Sequence, residues 1–201
     1  MDMPVPAKTE EGQGRLLVFF GMIATGKSTL AAAWAEARGC VYYNSDRVRK
    51  EMAGIQPVAR QRESMDQGIY SSKSSRRTYD RLLDLASTHF AADPQACVVL
   101  DGSYQSLAER DLLRARLERP GRQLLFVHCV CAEEVMRQRM DQRAQDPSAI
   151  SDGRWEIYLR QKVRFQAPDE LLPGQLLTID TNRPLAQLVS GLARQMAAEV
   201  G

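Results

Sequence analysis

Histidine is nearly missing from this chain of 201 residues: His89 and His128 are the only two. No Ser-His-Asp arrangement and no histidine-based metal cluster can be assembled from that pair. A surplus of one charge is missing too, with 27 basic against 25 acidic side chains and a formal charge of +2, and aromatics make up only 6%. Both argue against a dedicated nucleic-acid binder, which needs a basic footprint and stacking rings. No apolar run approaches the ~18 residues of a membrane span; the longest, from Leu16 to Ala24, is broken by Gly21. The first fourteen residues have neither the apolar core nor the cleavage pattern of a signal peptide, so they read as a flexible leader before one domain over 15–201. Cysteine is sparse: Cys40, Cys97, Cys129 and Cys131 lie in or beside apolar runs. Without further ligands for zinc, four buried, reduced thiols in a cytoplasmic protein are expected. Lysine is rare as well, five against 22 arginines, and arginine is the better bidentate partner for phosphate.

What is present is a regular alternation of strand-length apolar runs with segments of helical period. Strands are expected at Leu16–Phe20, Cys40–Asn44, Cys97–Asp101, Leu124–Val130 and Leu176–Asp180. Helices are expected at Lys27–Arg38, Asp46–Ala53, Thr78–Ala92, Ser106–Glu118, Ala132–Arg143, about Asp152–Phe165, and Leu185–Glu199. The strands are continuously apolar, which predicts an α/β fold: a five-stranded parallel sheet with helices on both faces. Gly39 stands where the first helix should end and Pro184 where the last should begin. The long irregular stretches are Gly54–Lys73 and Gln145–Gly153, and loops of that length are usually functional.

One motif carries chemistry outright. Gly21-Met22-Ile23-Ala24-Thr25-Gly26-Lys27-Ser28 fits G-x-x-x-x-G-K-[ST] between an apolar strand and a helix, the context that a phosphate-binding loop requires. Its N–H groups and the helix N-terminus face an anion. Lys27 would reach the β- and γ-phosphates of ATP, Ser28 would ligate Mg²⁺, and Gly21, Ala24, Thr25, Gly26 and Thr29 complete the cradle. Asp101 ends the third strand on the ligand side of the sheet, as a partner of the Mg²⁺ shell or as a cap on the turn into Gly102. Asp46 follows the second strand, with Arg49 one helical turn on. It is either a general base for a phosphoryl acceptor or an N-cap. Arg139 and Arg143 are i,i+4 neighbours that repel unless an anion lies between them; they form either a solvated face or a lid over the triphosphate. Arg183, after the last strand, could flank the nucleotide base. No N-K-x-D sequence selects guanine, and the chain is short for a ring-forming ATPase with an appended helical domain. A kinase acting on a small molecule or a polymer end is what remains.

The ordered stretches GMIATGKSTLA, NSDRVRKEMAG, GIYSSKSSRRTYDRLLDLA, VVLDGSY, FVHCVCAEEVMRQRMDQR, SDGRWEIYLRQ and IDTNRP resemble the P-loop kinase domain grouped with zeta toxins and polynucleotide kinases. The resemblance covers nearly everything after residue 14. It implies a small helical lid within about 139–165, an ATP- and Mg²⁺-dependent kinase, Asp46 as general base, Arg49 on the acceptor side, and a lid arginine at Arg139 or Arg143. A small-molecule hydroxyl is the favoured acceptor. A polynucleotide 5′-hydroxyl, reached past Arg60, Arg62, Arg76, Arg77 and Arg81 with Tyr42, Tyr70 or Tyr104 stacking a base, is the alternative, and a non-catalytic ATP-binding module is the third.

Overall fold

The computed structural model describes residues 13–55, 71–145 and 155–198; the expectations for Tyr70, Arg60, Arg62 and all but the last two leader residues lie outside them. Among the described residues the chain forms β1 (Gly14–Phe20), α1 (Lys27–Arg38), β2 (Val41–Asn44), α2 (Ser45–Met52), α3 (Ser72–Ala92), β3 (Cys97–Asp101), α4 (Leu107–Leu117), β4 (Arg122–Val130), α5 (Glu133–Gln145), α6 (Trp155–Arg164), β5 (Leu176–Asp180) and α7 (Leu185–Ala198). The expected α/β fold is present. The sheet order is β2-β3-β1-β4-β5, with every neighbouring pair parallel.

The largest boundary correction is α3, which starts at Ser72 rather than Thr78. Its first turns, Ser-Lys-Ser-Ser-Arg-Arg, carry no apolar period. They are helical because Ser71 caps them, its side chain accepting from Ser74 N. α4 instead announces itself with a capping box between Ser106 and Glu109, worth about 1 kcal/mol. α1 ends at Gly39, whose N–H reaches Glu36 O while Cys40 N reaches Ala35 O.

Alternation along β1 sends Leu16, Val18 and Phe20 to one face and Leu17 and Phe19 to the other. The first set packs with Leu82, Leu83 and Phe90 of α3 and with Leu113 and Leu117 of α4. The second packs with Leu30 and Trp34 of α1 and with Leu188 and Leu192 of α7. Right-handed crossovers explain the division. The connection from β1 runs outward to β2, whereas that from β3 crosses back over β1 to β4, so α1 and α4 cover opposite faces. This reversal opens a crevice at the strands' C-terminal ends.

The expectation of four reduced thiols is corrected. Cys40 and Cys97 form a disulfide with a Cα–Cα separation of 4.7 Å. Val41 pairs with Val98, so the two residues just before that pair lie side by side on adjacent parallel strands. A sequence separation of 57 residues hides this proximity from a linear reading. Cys129 and Cys131 are free, and burial pushes the Cys129 thiol up to about 12.

His128 of β4 is sandwiched between Phe20 (ring centroids 4.7 Å) and Phe165 (5.3 Å), both stacked. Burial, reinforced by the Arg110 charge, pushes its pKa from 6.5 down to about 4. Between those values the unfolded chain binds a proton that the folded chain refuses. The stability His128 contributes is therefore complete above pH 6.5 and is lost as pH falls through the window to 4. His128→Phe keeps the stack and removes the titration. Urea unfolding at pH 7 and pH 5 should show the variant gaining on the wild type at the lower pH; a pH-independent difference would mean that the imidazole does not titrate there.

Candidate functional site

The phosphate loop lies between β1 and α1, and its shape demands glycine at both ends. Gly21 has φ 138°, and a Cβ there would come within 2.4 Å of Cys129 O; Gly26 has φ 81°, and a Cβ would meet Arg139 Nη1 and Thr181 Oγ1 at 3.1 Å. Ala24 also takes a positive φ of 61°, a strained conformation for a side-chain-bearing residue. Hydrogen bonds from elsewhere hold it. Arg139 Nη1 donates to Ala24 O (3.3 Å) and to Thr181 Oγ1 (3.0 Å), and Nη2 donates to Thr181 O (2.8 Å). Thr181 Oγ1 in turn donates to Thr25 O at 2.6 Å. Thr181 is itself anchored by its N–H on Val130 O, so the loop is fastened to the end of β4.

Lys27 Nζ lies 3.4 Å from Met22 O. Burial holds its pKa below the ordinary lysine value; Asp101 and Asp46 oppose that shift and Arg143 adds to it. One ammonium thus senses the end of β3, the start of α2 and the C-terminal half of α5.

Asp101 is fully buried. Its Oδ2 accepts from Tyr42 Oη at 2.7 Å and from Asn44 Nδ2, while its Oδ1 has no hydrogen-bond partner. The N–H groups of the following turn go elsewhere, Gly102 N to Phe19 O and Ser103 N to Tyr79 Oη, so capping is not what occupies this carboxylate. Asn44 Nδ2 also lies 3.5 Å from Ser28 Oγ, which puts the Walker hydroxyl next to the same carboxylate. A buried carboxylate oxygen without a donor beside a hydroxyl fits a hard cation. Among the described residues no group of three His, Cys, Asp or Glu converges, so such a cation would take its other ligands from a nucleotide and water.

Asp46 is not the cap of α2: that role belongs to Asn44, whose Oδ1 accepts from Arg47 N at 2.9 Å. Asp46 is the second helical residue, with Lys50 Nζ at 3.3 Å and Arg49 Nη1 at 3.8 Å. Lys50 is completely buried, so this carboxylate lies beside a cation withdrawn from water. Arg49 also bears on the buried Tyr79 hydroxyl, whose pKa burial pushes up to about 12 against that charge.

On the other side of the loop a cavity of about 360 Å³ is lined by Gly26, Thr29, Arg139, Arg143, Thr181 and Arg183, over an apolar floor that includes Leu30 and Leu188. Burial, then the Arg139 charge, lowers the Arg143 pKa. The structure therefore separates the two arginines: Arg139 is bonded to the loop and Thr181, whereas Arg143 is the one that bears on Lys27. Of the alternative stacking residues, Tyr42 is bound to Asp101 and Tyr104 is buried at 1% exposure; Arg76, Arg77 and Arg81 are exposed on α3.

Sequence reasoning missed Asn44, Thr181 and Gln161, and it gave Tyr42 a stacking role where the structure bonds it to Asp101. The signal for Asn44 was its position: it pairs in register with Asp101 across β2 and β3. Thr181 had no comparable signal, because its partners are 42 and 156 residues away.

The sequence profile of the AAA domain family matches residues 16–168. No curated protein matches the chain. Among solved structures it is similar to a gluconokinase from Sinorhizobium meliloti (21% identity, TM-score 0.59, 93% of this chain and 95% of that one). It is also similar to the shikimate kinase of Acinetobacter baumannii in complex with shikimate (18%, 0.58, 94% and 95%). A third is the APS kinase of Mycobacterium tuberculosis in complex with AMPPNP and APS (18%, 0.61, 92% and 98%). At these identities the likeness establishes the P-loop kinase fold.

Thr181→Val should cost about 1–3 kcal/mol, because it leaves the Thr25 carbonyl without its donor and removes one of the acceptors of Arg139. Thr181→Ser, which keeps the hydroxyl, should cost less. Chemical denaturation of both variants tests this; a Val variant no less stable than the Ser variant would show that the hydroxyl does not hold the loop.

Proposed function

The chain belongs to the AAA domain family of P-loop proteins, and from that premise we propose that it is an ATP- and Mg²⁺-dependent kinase that phosphorylates a hydroxyl group on a small molecule. The observation that carries the reading is Asn44, which joins the Asp101 carboxylate, the Ser28 hydroxyl and the first turn of α2, where Asp46 stands. Nucleotide binding alone calls for the loop and a metal-side carboxylate. It gives no use for a second carboxylate seated by Arg49 and Lys50, whereas phosphoryl transfer does. The gluconokinase, shikimate kinase and APS kinase folds support the same class.

In this reading the loop N–H groups and Lys27 hold the β- and γ-phosphates. The purine lies in the cavity beside Thr29, Arg139 and Arg183. Ser28 and Asp101 Oδ1 hold Mg²⁺, which neutralises phosphate charge when bound. Asp46 takes the proton of the acceptor hydroxyl as its oxygen bonds to the γ-phosphorus and the bond to the ADP oxygen breaks. Arg49 orients the acceptor. Arg143 stabilises charge on the transferred group, as the active arginine of a lid within 139–165, and Arg139 keeps the loop in shape. The D-x-x-R pair Asp46/Arg49 supports kinship with the zeta-toxin and polynucleotide-kinase group. Among the described residues no helix is long and apolar enough to cross a membrane. Dependence on ATP supports a cytoplasmic site of action.

An ADP-release screen over sugars, hydroxy acids, nucleosides, aminoglycosides and 5′-hydroxyl oligonucleotides tests the class. Turnover only with oligonucleotides would move the acceptor to polynucleotides, and ATP binding without any turnover would leave a binding module. Once an acceptor is found, Lys27→Ala should abolish transfer. Asp46→Asn should lower kcat about 10²- to 10⁴-fold with ATP affinity retained. Because Asn44 is the cap, the substitution leaves the helix start intact, and a fully active variant would remove Asp46 from the mechanism.

The two arginines give a sharper split. Arg143→Ala should depress kcat by about 10²-fold or more. Arg139→Ala should lower the melting temperature and weaken ATP binding together, since it releases Ala24 and Thr181. Steady-state kinetics beside thermal unfolding separates them, and interchangeable behaviour would refute the division of labour.

A further inference from the structure

Ile23 N donates to Gln161 Oε1 at 2.7 Å, a bond between the phosphate loop and α6 across 138 residues of sequence. Gln161 is 8% exposed. The opposite end of the same peptide unit, Met22 O, accepts from Thr25 Oγ1 at 2.8 Å and from Lys27 Nζ at 3.4 Å. One peptide plane is therefore held at its carbonyl by the loop itself and at its N–H by a side chain from outside. A planar, rigid peptide transmits orientation from one end to the other, so Gln161 acts on the group that positions the Lys27 ammonium.

The helix that supplies Gln161 is itself braced. Tyr158, 2% exposed, packs with Ala24, Met136 and Met140, and its hydroxyl donates to Glu133 at 2.7 Å. Beyond α6, Gln166 N donates to Gln105 O at 2.9 Å and Gln166 Oε1 accepts from Leu107 N at 2.7 Å. The fully buried Arg110 of α4 is paired with Glu170. The segment thus spans from the phosphate loop to the turn that follows Asp101.

We propose that Gln161 is a positioning residue of the phosphate loop. It fixes the Met22–Ile23 peptide, and through it Lys27, so that affinity for nucleoside di- and triphosphates depends on a side chain outside the loop motif. The inference rests on the ATP-binding reading above. Gln161→Met keeps the length of the side chain and removes the acceptor.

Calorimetric titration with ATP, ADP and adenosine should show ATP and ADP weakened about tenfold, the scale of one lost hydrogen bond, and adenosine unchanged. The Ile23 amide should be protected from hydrogen exchange in the wild-type chain and lose that protection in the variant. A folded variant with wild-type ATP affinity overturns the proposal, as does an equal loss for adenosine and ATP, which would be general damage. Rapid exchange of Ile23 in the wild type overturns it without recourse to any variant. A wild-type chain that binds no ATP removes the kinase reading and this inference with it, whereas wild-type binding matched by the variant removes the inference alone.

Discussion

The phosphate loop holds its shape through donors to its carbonyls, and the site depends on where those donors come from. Thr181 takes Thr25 O, Arg139 takes Ala24 O, and Thr25 and Lys27 share Met22 O. An unpaired buried carbonyl would cost free energy comparable to a lost hydrogen bond. Each donor therefore stabilises a conformation, Ala24 at positive φ included, that the loop would not hold alone. Three of the supports reach in from β5's outgoing turn, α5 and α6, so the strength of the cradle is a property of the whole C-terminal half of the molecule.

The same geometry explains why two neighbouring arginines carry different burdens. One turn apart on α5, Arg139 and Arg143 point into the same cavity. Arg139 spends its guanidinium on fixed protein oxygens, which a rigid planar fork does well. Arg143 lines the cavity beside it. Arg139, Arg143 and Arg183 around one cavity are an arrangement that a polyphosphate relieves.

On the other flank, β2 and β3 act as one functional edge. Their in-register pairing puts Asn44 opposite Asp101, and Asn44 divides its amide between that carboxylate and the first turn of α2. The strand that ends on Asp101 and the helix that bears Asp46 are thereby locked together by one side chain. Buried amide groups that satisfy both ends in this way fix a unique geometry.

How much of this was legible beforehand follows from the range of each interaction. The phosphate loop, the apolar strands and the capping box of α4 are local patterns, so the sequence alone determined the fold class and the residues Gly21 to Thr29. Asp46, Asp101, Arg139 and Arg143 were legible as candidates because each follows a strand on the ligand side, but their roles stayed open. Tertiary structure decided their contacts. Asn44 caps α2 in place of Asp46, Asp101 turns one oxygen to Tyr42 and leaves the other bare, and Arg139 holds the loop. The disulfide between Cys40 and Cys97, the clamp by Thr181 and the bond from Ile23 to Gln161 each join residues at least 57 positions apart. Such contacts leave no periodic trace in a sequence, because they depend on strand order and crossover handedness, which exist only once the sheet is assembled.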